Sequence, residues 1–222
     1  MKGPLIIAID GPAASGKGTL ARRLAARFGL AHLDTGRLYR ATGLAVLDAG
    51  GDPADPVAAE KAARNLDLSR LTSSRLRDED VGRAASLVAA IPAARAALLD
   101  VQRRFAQHPP QVGNSAAKGA VLDGRDIGSV VCPDATVKLF LVASAESRAE
   151  RRVKELRQGG AAAIYDAVLQ DMRERDARDS ERRVAPLAAA PDAITIDTTL
   201  LDAEQVFERA CDLIARLCTL RR

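Results

Sequence analysis

The chain has 222 residues, 47% of them hydrophobic, with 33 basic and 29 acidic side chains for a net charge of +4. That length suits one well-buried α/β domain carrying small insertions and is short for two independent cores. The mild basic excess suits anionic small molecules rather than a dedicated nucleic-acid binder, and aromatic residues at 3% are too few to stack single-stranded bases.

The first predicted element is a strand, Leu5 to Asp10, an apolar run of the kind buried in a parallel sheet. Next comes Gly11-Pro12-Ala13-Ala14-Ser15-Gly16-Lys17-Gly18-Thr19, with Gly11 and Gly16 separated by four residues and followed by lysine. Such a loop at a helix N-terminus offers backbone N–H groups and the positive end of the macrodipole to a polyphosphate. Lys17 can extend from it to the β- and γ-phosphates. Leu20, Leu24 and Phe28 then recur every four residues, a helical stripe that stops at Gly29. Directly after the lysine, where Ser or Thr is usual, stands Gly18, and the hydroxyl moves one place on to Thr19. Gly-Lys-Gly-Thr resembles the nucleoside monophosphate kinase version of the loop, which implies magnesium held mainly by phosphates and water, with Thr19 bonding a phosphate.

A short strand is predicted from Leu30 to Leu33, ahead of Asp34-Thr35-Gly36. A long helical excursion follows, broken by Gly50-Gly51 and Pro53, with helix starts at Pro56, after Asp55, and at Pro92. Residues 65–81 are short, polar and without strand alternation, and 107–119 read as an exposed loop rich in Pro and Gly. Further strands are predicted at Ala120 to Asp123, Val137 to Val142 and Ala193 to Asp197, giving a parallel sheet of about five strands flanked by helices. In the last helix Asp202 with Gln205 forms a capping box, Leu201 and Val206 a staple, and Val206, Ala210, Leu213 and Leu217 an apolar stripe. Cys132, Cys211 and Cys218 have no metal-ligand spacing and read as small apolar residues. No secretory leader and no run of about 18 apolar residues is visible, which predicts a soluble cytoplasmic protein.

Ligands in this topology collect at the carboxyl ends of the strands, where three polar clusters fall: residues 34–40, Asp123-Gly124-Arg125-Asp126, and 175–182. Arg175, Arg178 and Arg182 are spaced to share one helical face, a concentration of guanidiniums that calls for an anion. The bland alternative is a solvated helix with four-residue ion pairs such as Asp171 with Arg175 and Glu174 with Arg178. Asp123, ending its strand opposite the phosphate loop, is placed to orient magnesium-bound water, strand termination being the competing reading. His32 and His108 carry no visible chemistry.

With the loop at Gly11, these clusters resemble the cytidylate kinase family through Leu-Asp-Thr-Gly-x-x-Tyr-Arg at 33–40, Ala-Ser-x-Val-Ala-Ala-x-Pro at 85–92, Gln102-Arg103, Asp-Gly-Arg-Asp-x-Gly at 123–128, Pro133-Asp134-Ala135, Arg-Asp-x-Arg-Asp at 175–179 and Val-Ala-Pro-Leu at 184–187. The resemblance implies a P-loop core with a helical insertion for the nucleoside monophosphate at about 37–106 and a mobile lid at about 160–186. It implies transfer of the ATP γ-phosphoryl group to CMP or dCMP by a monomer, with magnesium and without nucleic acid or membrane. Matched by position, cytosine contacts fall on Thr35, Arg95, Asp126 and Arg182, ribose contacts on Ser86, Arg175 and Asp179, and the 5′-phosphate meets Arg40 and Arg125. Lys17, Arg175 and Arg178 would stabilise charge on the migrating phosphoryl group. A kinase for UMP or another small substrate and a nucleotide-dependent switch or adaptor are the rival readings. Against the switch, no Asn-Lys-x-Asp signature occurs.

Overall fold

The computed structural model describes residues 4–220, with side chains through Leu217, so Cys218 lies outside the described side chains. Leu5–Asp10 (β1), Ala31–Asp34 (β2), Gly119–Gly124 (β3), Val137–Val142 (β4) and Ile194–Asp197 (β5) form one sheet in the order β2-β3-β1-β4-β5. β3, β1, β4 and β5 run parallel, with Ile9 beside Asp123 and Leu139 beside Ile194. β1 and β4 keep their predicted bounds. β2 and β3 shift by one residue at both ends and β5 at its start, because a ladder hydrogen bond rather than side-chain polarity decides where pairing stops.

The helices are Lys17–Phe28 (α1), Thr35–Asp48 (α2), Pro56–Arg64 (α3), Glu79–Val88 (α4), Pro92–Gln107 (α5), Ala145–Gln158 (α6), Tyr165–Ser180 (α7) and Ala203–Leu220 (α8). By their contacts the residues group into two compact units, one running to His32 and resuming at Ala106, the other Leu33–Phe105.

The first unit holds the sheet core. Ile7, Ile9, Leu139 and Leu141 pack with Leu24 of α1 and Ile214 of α8, all buried. Each such side chain stabilises the fold by roughly 1.5–3 kcal/mol relative to exposure. α8 starts as its sequence predicts: Asp202 N–H donates to Gln205 Oε1, and Asp202 Oδ1 accepts from the N–H groups of Glu204 and Gln205. Leu201 and Val206 both join the core, Val206 buried and Leu201 partly so. Cys132 is buried and Cys211 half-buried, and burial pushes the Cys211 thiol above its usual range, as suits packing rather than reactivity. In the 107–119 segment a single antiparallel bridge pairs Val112 with Ser115.

In the second unit Leu38 of α2, Val88 of α4 and Ala94 and Leu98 of α5 are completely buried. Asp55 caps α3 through the N–H groups of Val57 and Ala58, with Pro56 at the first helical position. Where the sequence shows no alternation, the chain makes two 3₁₀ turns, Leu68–Thr72 and Ser74–Arg77. Arg70 and Arg75 of these turns both bond the Asp48 carboxylate at the end of α2. α2 and α4 approach closely at Gly43, where a Cβ would stand 2.9 Å from the Ala84 Cβ.

Candidate active site

In the first unit the loop from Gly11 to Gly16 joins β1 to α1 at the carboxyl edge of the sheet. Gly11 has φ +145°, and a Cβ there would lie 2.1 Å from the Leu141 carbonyl oxygen, so only glycine lets the loop leave β1 against β4. Ala14 and Gly16 also adopt positive φ, a backbone habit shared by loops that bind anions through their N–H groups. The loop is tied down from behind: Thr198 Oγ1, just past β5, lies 3.1 Å from the Ser15 carbonyl oxygen, and Arg151 donates to the Thr198 hydroxyl.

Lys17 opens α1 and is buried, its ammonium donating to the Pro12 carbonyl oxygen at 2.7 Å. Burial, with Arg125 and Arg175 nearby, lowers its pKa to about 7, although Asp123 and Asp10 pull the other way. The crowd of cations that disfavours its charge is the crowd an anion would require. Thr19 is exposed and accepts from Arg22 at 3.4 Å.

Arg125 and Asp126 follow β3 directly. Asp126 is buried, and its carbonyl oxygen accepts from Val130 and Val131, opening a single π turn at Ile127–Val131. Asp10, the last residue of β1, holds that turn: its carboxylate accepts from Ile127 N–H at 2.8 Å and Gly128 N–H at 2.7 Å. Burial raises the Asp10 pKa to about 6, helped by the charge of Asp126 and opposed by these two bonds. Nothing in the sequence singles out Asp10, because its partners lie more than a hundred residues away.

Arg175 and Arg178 are half-buried on α7, but Arg182 does not share their helical face. The helix ends at Ser180: Asp179 O accepts from Leu187 N–H at 2.8 Å, so the next turn never forms. Spacing alone assumed a helix that continues. Arg182 is still drawn in, bonding Asp179, whose buried carboxylate also accepts from Arg125 Nε at 2.7 Å. Burial pushes the Asp179 carboxyl up, but Arg125, Arg182 and Arg175 outweigh it and hold the group below the usual carboxylate range. Asp179 thus organises the arginines around it.

Arg148 of α6 is a further residue that sequence reasoning passed over. Its guanidinium is buried and forks onto Asp176 of α7 at 3.1 and 2.5 Å, while Nε donates to Ala143 O and Nη1 to Ala13 O in the phosphate loop. Asp123, at the end of β3, sits beside Lys17 and lies 2.7 Å from His32 Nε2, a contact across 91 residues that no local pattern announces.

The second unit carries Thr35, Arg40, Ser86 and Arg95. Thr35 starts α2, Ser86 lies on α4, and both are buried. Arg40 lies against Gly82, where a Cβ would be 3.1 Å from Nη1, and donates to Leu76 O at 2.9 Å. Arg95 donates to Ala89 O at 3.1 Å and stacks over the Tyr39 ring, its Cζ 5.5 Å from the centroid. Tyr39 is part of the core of that unit.

No group of three or more His, Cys, Asp or Glu side chains among the described residues could hold a metal ion by itself. An ion held by phosphate oxygens and water, with one carboxylate nearby, does fit: Asp123 Oδ2 stands 3.8 Å from where a Cβ on Gly18 would be. Among the described residues no single helix is long and apolar enough to cross a membrane.

The family model described as cytidylate kinase matches residues 7–216. A cytidylate kinase from Rhodospirillum rubrum is 60% identical over 211 residues, covering 95% of this chain and 97% of the relative. Another from Paramagnetospirillum magneticum is 60% identical over 209 residues, covering 94% and 97%. A crystal structure of an uncharacterized protein from Eubacterium ventriosum aligns with TM-score 0.50 at 15% identity, over 95% of this chain and 98% of that one, a likeness of fold alone. A phosphate loop, a β2-β3-β1-β4-β5 sheet and a model match that leaves only short ends uncovered agree: the chain belongs to the cytidylate kinase family.

Proposed function

We propose that the protein transfers the γ-phosphoryl group of ATP to CMP or dCMP, giving ADP and CDP or dCDP. The observation that carries this is the buried Lys17 with Arg125 and Arg175 around it, in a chain whose relatives are named cytidylate kinases. The attacking CMP phosphate oxygen is already a nucleophile, so positioning and neutralisation of charge suffice, without a strong general base. Lys17, Arg175 and Arg178 are the groups read as stabilising the migrating phosphoryl, with the loop 11–19 holding the donor phosphates. Asp123 is read as the carboxylate that would orient magnesium through water, the ion supplying charge neutralisation on the donor phosphates when bound with ATP. Arg40 and Arg125 are read as 5′-phosphate ligands, Ser86, Arg175 and Asp179 as ribose contacts, and Thr35, Arg95, Asp126 and Arg182 as the cytosine site. In this reading residues 37–106 form the acceptor insertion and 160–186 a lid whose closure excludes water.

Initial rates with ATP and magnesium against CMP, dCMP, UMP, AMP and shikimate test the assignment. CMP and dCMP should be turned over fastest. ATP consumption that yields no CDP and accelerates with RNA or protein would overturn it.

The Lys17 environment adds a measurable linkage. With its pKa near 7, the lysine is mostly neutral at pH 8, and a triphosphate in the loop favours the cation. Nucleotide binding should therefore take up a proton, about 0.9 per ATP at pH 8 and about 0.1 at pH 6 from this group. Calorimetry at pH 8 in buffers of different ionisation enthalpy reads the uptake as a slope, and a flat line would contradict it.

A further inference from the structure

We infer that His32 is a positioning residue for Asp123, holding one carboxylate oxygen so that the other faces the magnesium side of the donor phosphates. The inference rests on the phosphotransfer reading above and deepens it. His32 lies on β2 and Asp123 on β3, adjacent strands of the sheet, and the half-buried imidazole meets the buried carboxylate at Nε2–Oδ1 2.7 Å. A carboxylate accepts, so Nε2 carries the hydrogen. This contact holds Oδ1 toward β2.

The second oxygen, Oδ2, is the one directed at the first turn of α1, 3.8 Å from the position of a Cβ on Gly18. Gly18 stands where most loops of this kind carry the hydroxyl that touches magnesium, and Thr19 is exposed and bonded by Arg22. Among the described residues Asp123 Oδ2 is the oxygen within 4 Å of that Cβ position, with Arg22 Nη1 at 3.4 Å beside it. A single carboxylate acting through water has to be aimed, since it has no companion ligand to fix its orientation. Partners of direct metal ligands are worth about 10- to 100-fold in metal affinity or activity, so about 10-fold is the size expected for a partner of a carboxylate that acts through water. The charge of Asp123 is also felt by Lys17, the next residue back from Gly18, which agrees with that placement.

The test compares the wild type with His32→Leu, which keeps bulk and removes the donor, and His32→Gln, whose amide nitrogen can reach the Nε2 position. A non-hydrolysable ATP analogue is titrated calorimetrically with and without magnesium, and Mn2+ uptake by each protein with the analogue bound is followed by electron paramagnetic resonance. His32→Leu should bind the metal-free analogue within about twofold of wild type, and lose about 10-fold or more of the tightening that the metal brings. His32→Gln should recover most of that loss, and the CMP KM should stay unchanged in both. An unaltered metal effect in His32→Leu overturns the inference while leaving phosphotransfer intact. Equal loss of metal-free and metal-bound affinity also overturns it, because that marks a general structural role. Wild-type protein that binds no analogue in either condition overturns the phosphotransfer reading and this inference with it.

Discussion

Lys17→Ala is expected to lower kcat for CDP formation by about a thousandfold or more, while the fold is kept. The size follows from the role: a preorganised donor aimed at developing charge in a water-excluded site is worth about 10²–10³ in rate, and charged donors on a phosphoryl group reach 10³–10⁵. The fold should survive because Lys17 is disfavoured as a cation by burial and by Arg125 and Arg175, and what it loses is the bond to Pro12 O and a long one to Ser15 Oγ. The ligand-free variant should lie within about 1 kcal/mol of wild type by denaturant unfolding, a bond to a neutral acceptor being offset by relief of the buried charge. The thermal upshift that ATP gives the wild type should shrink with the lost affinity. A variant retaining a tenth of wild-type turnover would remove Lys17 from the chemistry, and one that fails to fold would refute the stability argument.

The second large effect concerns the choice of base. Cytosine presents an N4 amino donor beside an N3 acceptor, and uracil presents the reverse. A buried carboxylate at Asp126 would accept from N4 and oppose the uracil oxygen. Asp126→Asn replaces that acceptor by an amide able to donate, and kcat/KM for CMP should fall about 100-fold while the ratio of CMP to UMP falls by a similar factor or more. Sites built to bond a polar edge discriminate by up to about 10⁴–10⁵ when mismatched. The backbone around the substitution should hold, since Ile127 and Gly128 are fixed by Asp10, and removing the Asp126 charge takes away one of the causes that raise the Asp10 pKa. Paired kinetics with CMP and UMP measure the change, and an unaltered ratio would remove Asp126 from base recognition.

What the sequence disclosed was chiefly what neighbouring residues settle among themselves. The apolar run 5–10, the glycine-lysine loop, the Gly29 stop of α1, the Asp55 cap and the Asp202–Gln205 box each depend on residues within a few positions, and each folds as its pattern reads. The misreading came where local periodicity was extended past its end, at Arg182, because Leu187 captures the carbonyl of Asp179 and stops the helix. The unseen residues were those defined by long-range partners: Asp10 against the turn at 127, Arg148 against Asp176, His32 against Asp123. An aspartate at a strand end and a histidine in a short strand look ordinary until the sheet order makes β1 and β2 neighbours of β3.

Arg148 also bears on how interchangeable the parts of this enzyme are. One guanidinium serves α7 through Asp176, the end of β4 through Ala143 and the phosphate loop through Ala13. A chimera that takes its 160–186 stretch from a distant homologue therefore inherits a lock whose key is on α6. Grafts lacking a carboxylate at 176 would strand a cation in the interior, whereas exchanging 145–186 as one block carries both halves of the pair, and that longer cassette is the natural unit for recombination.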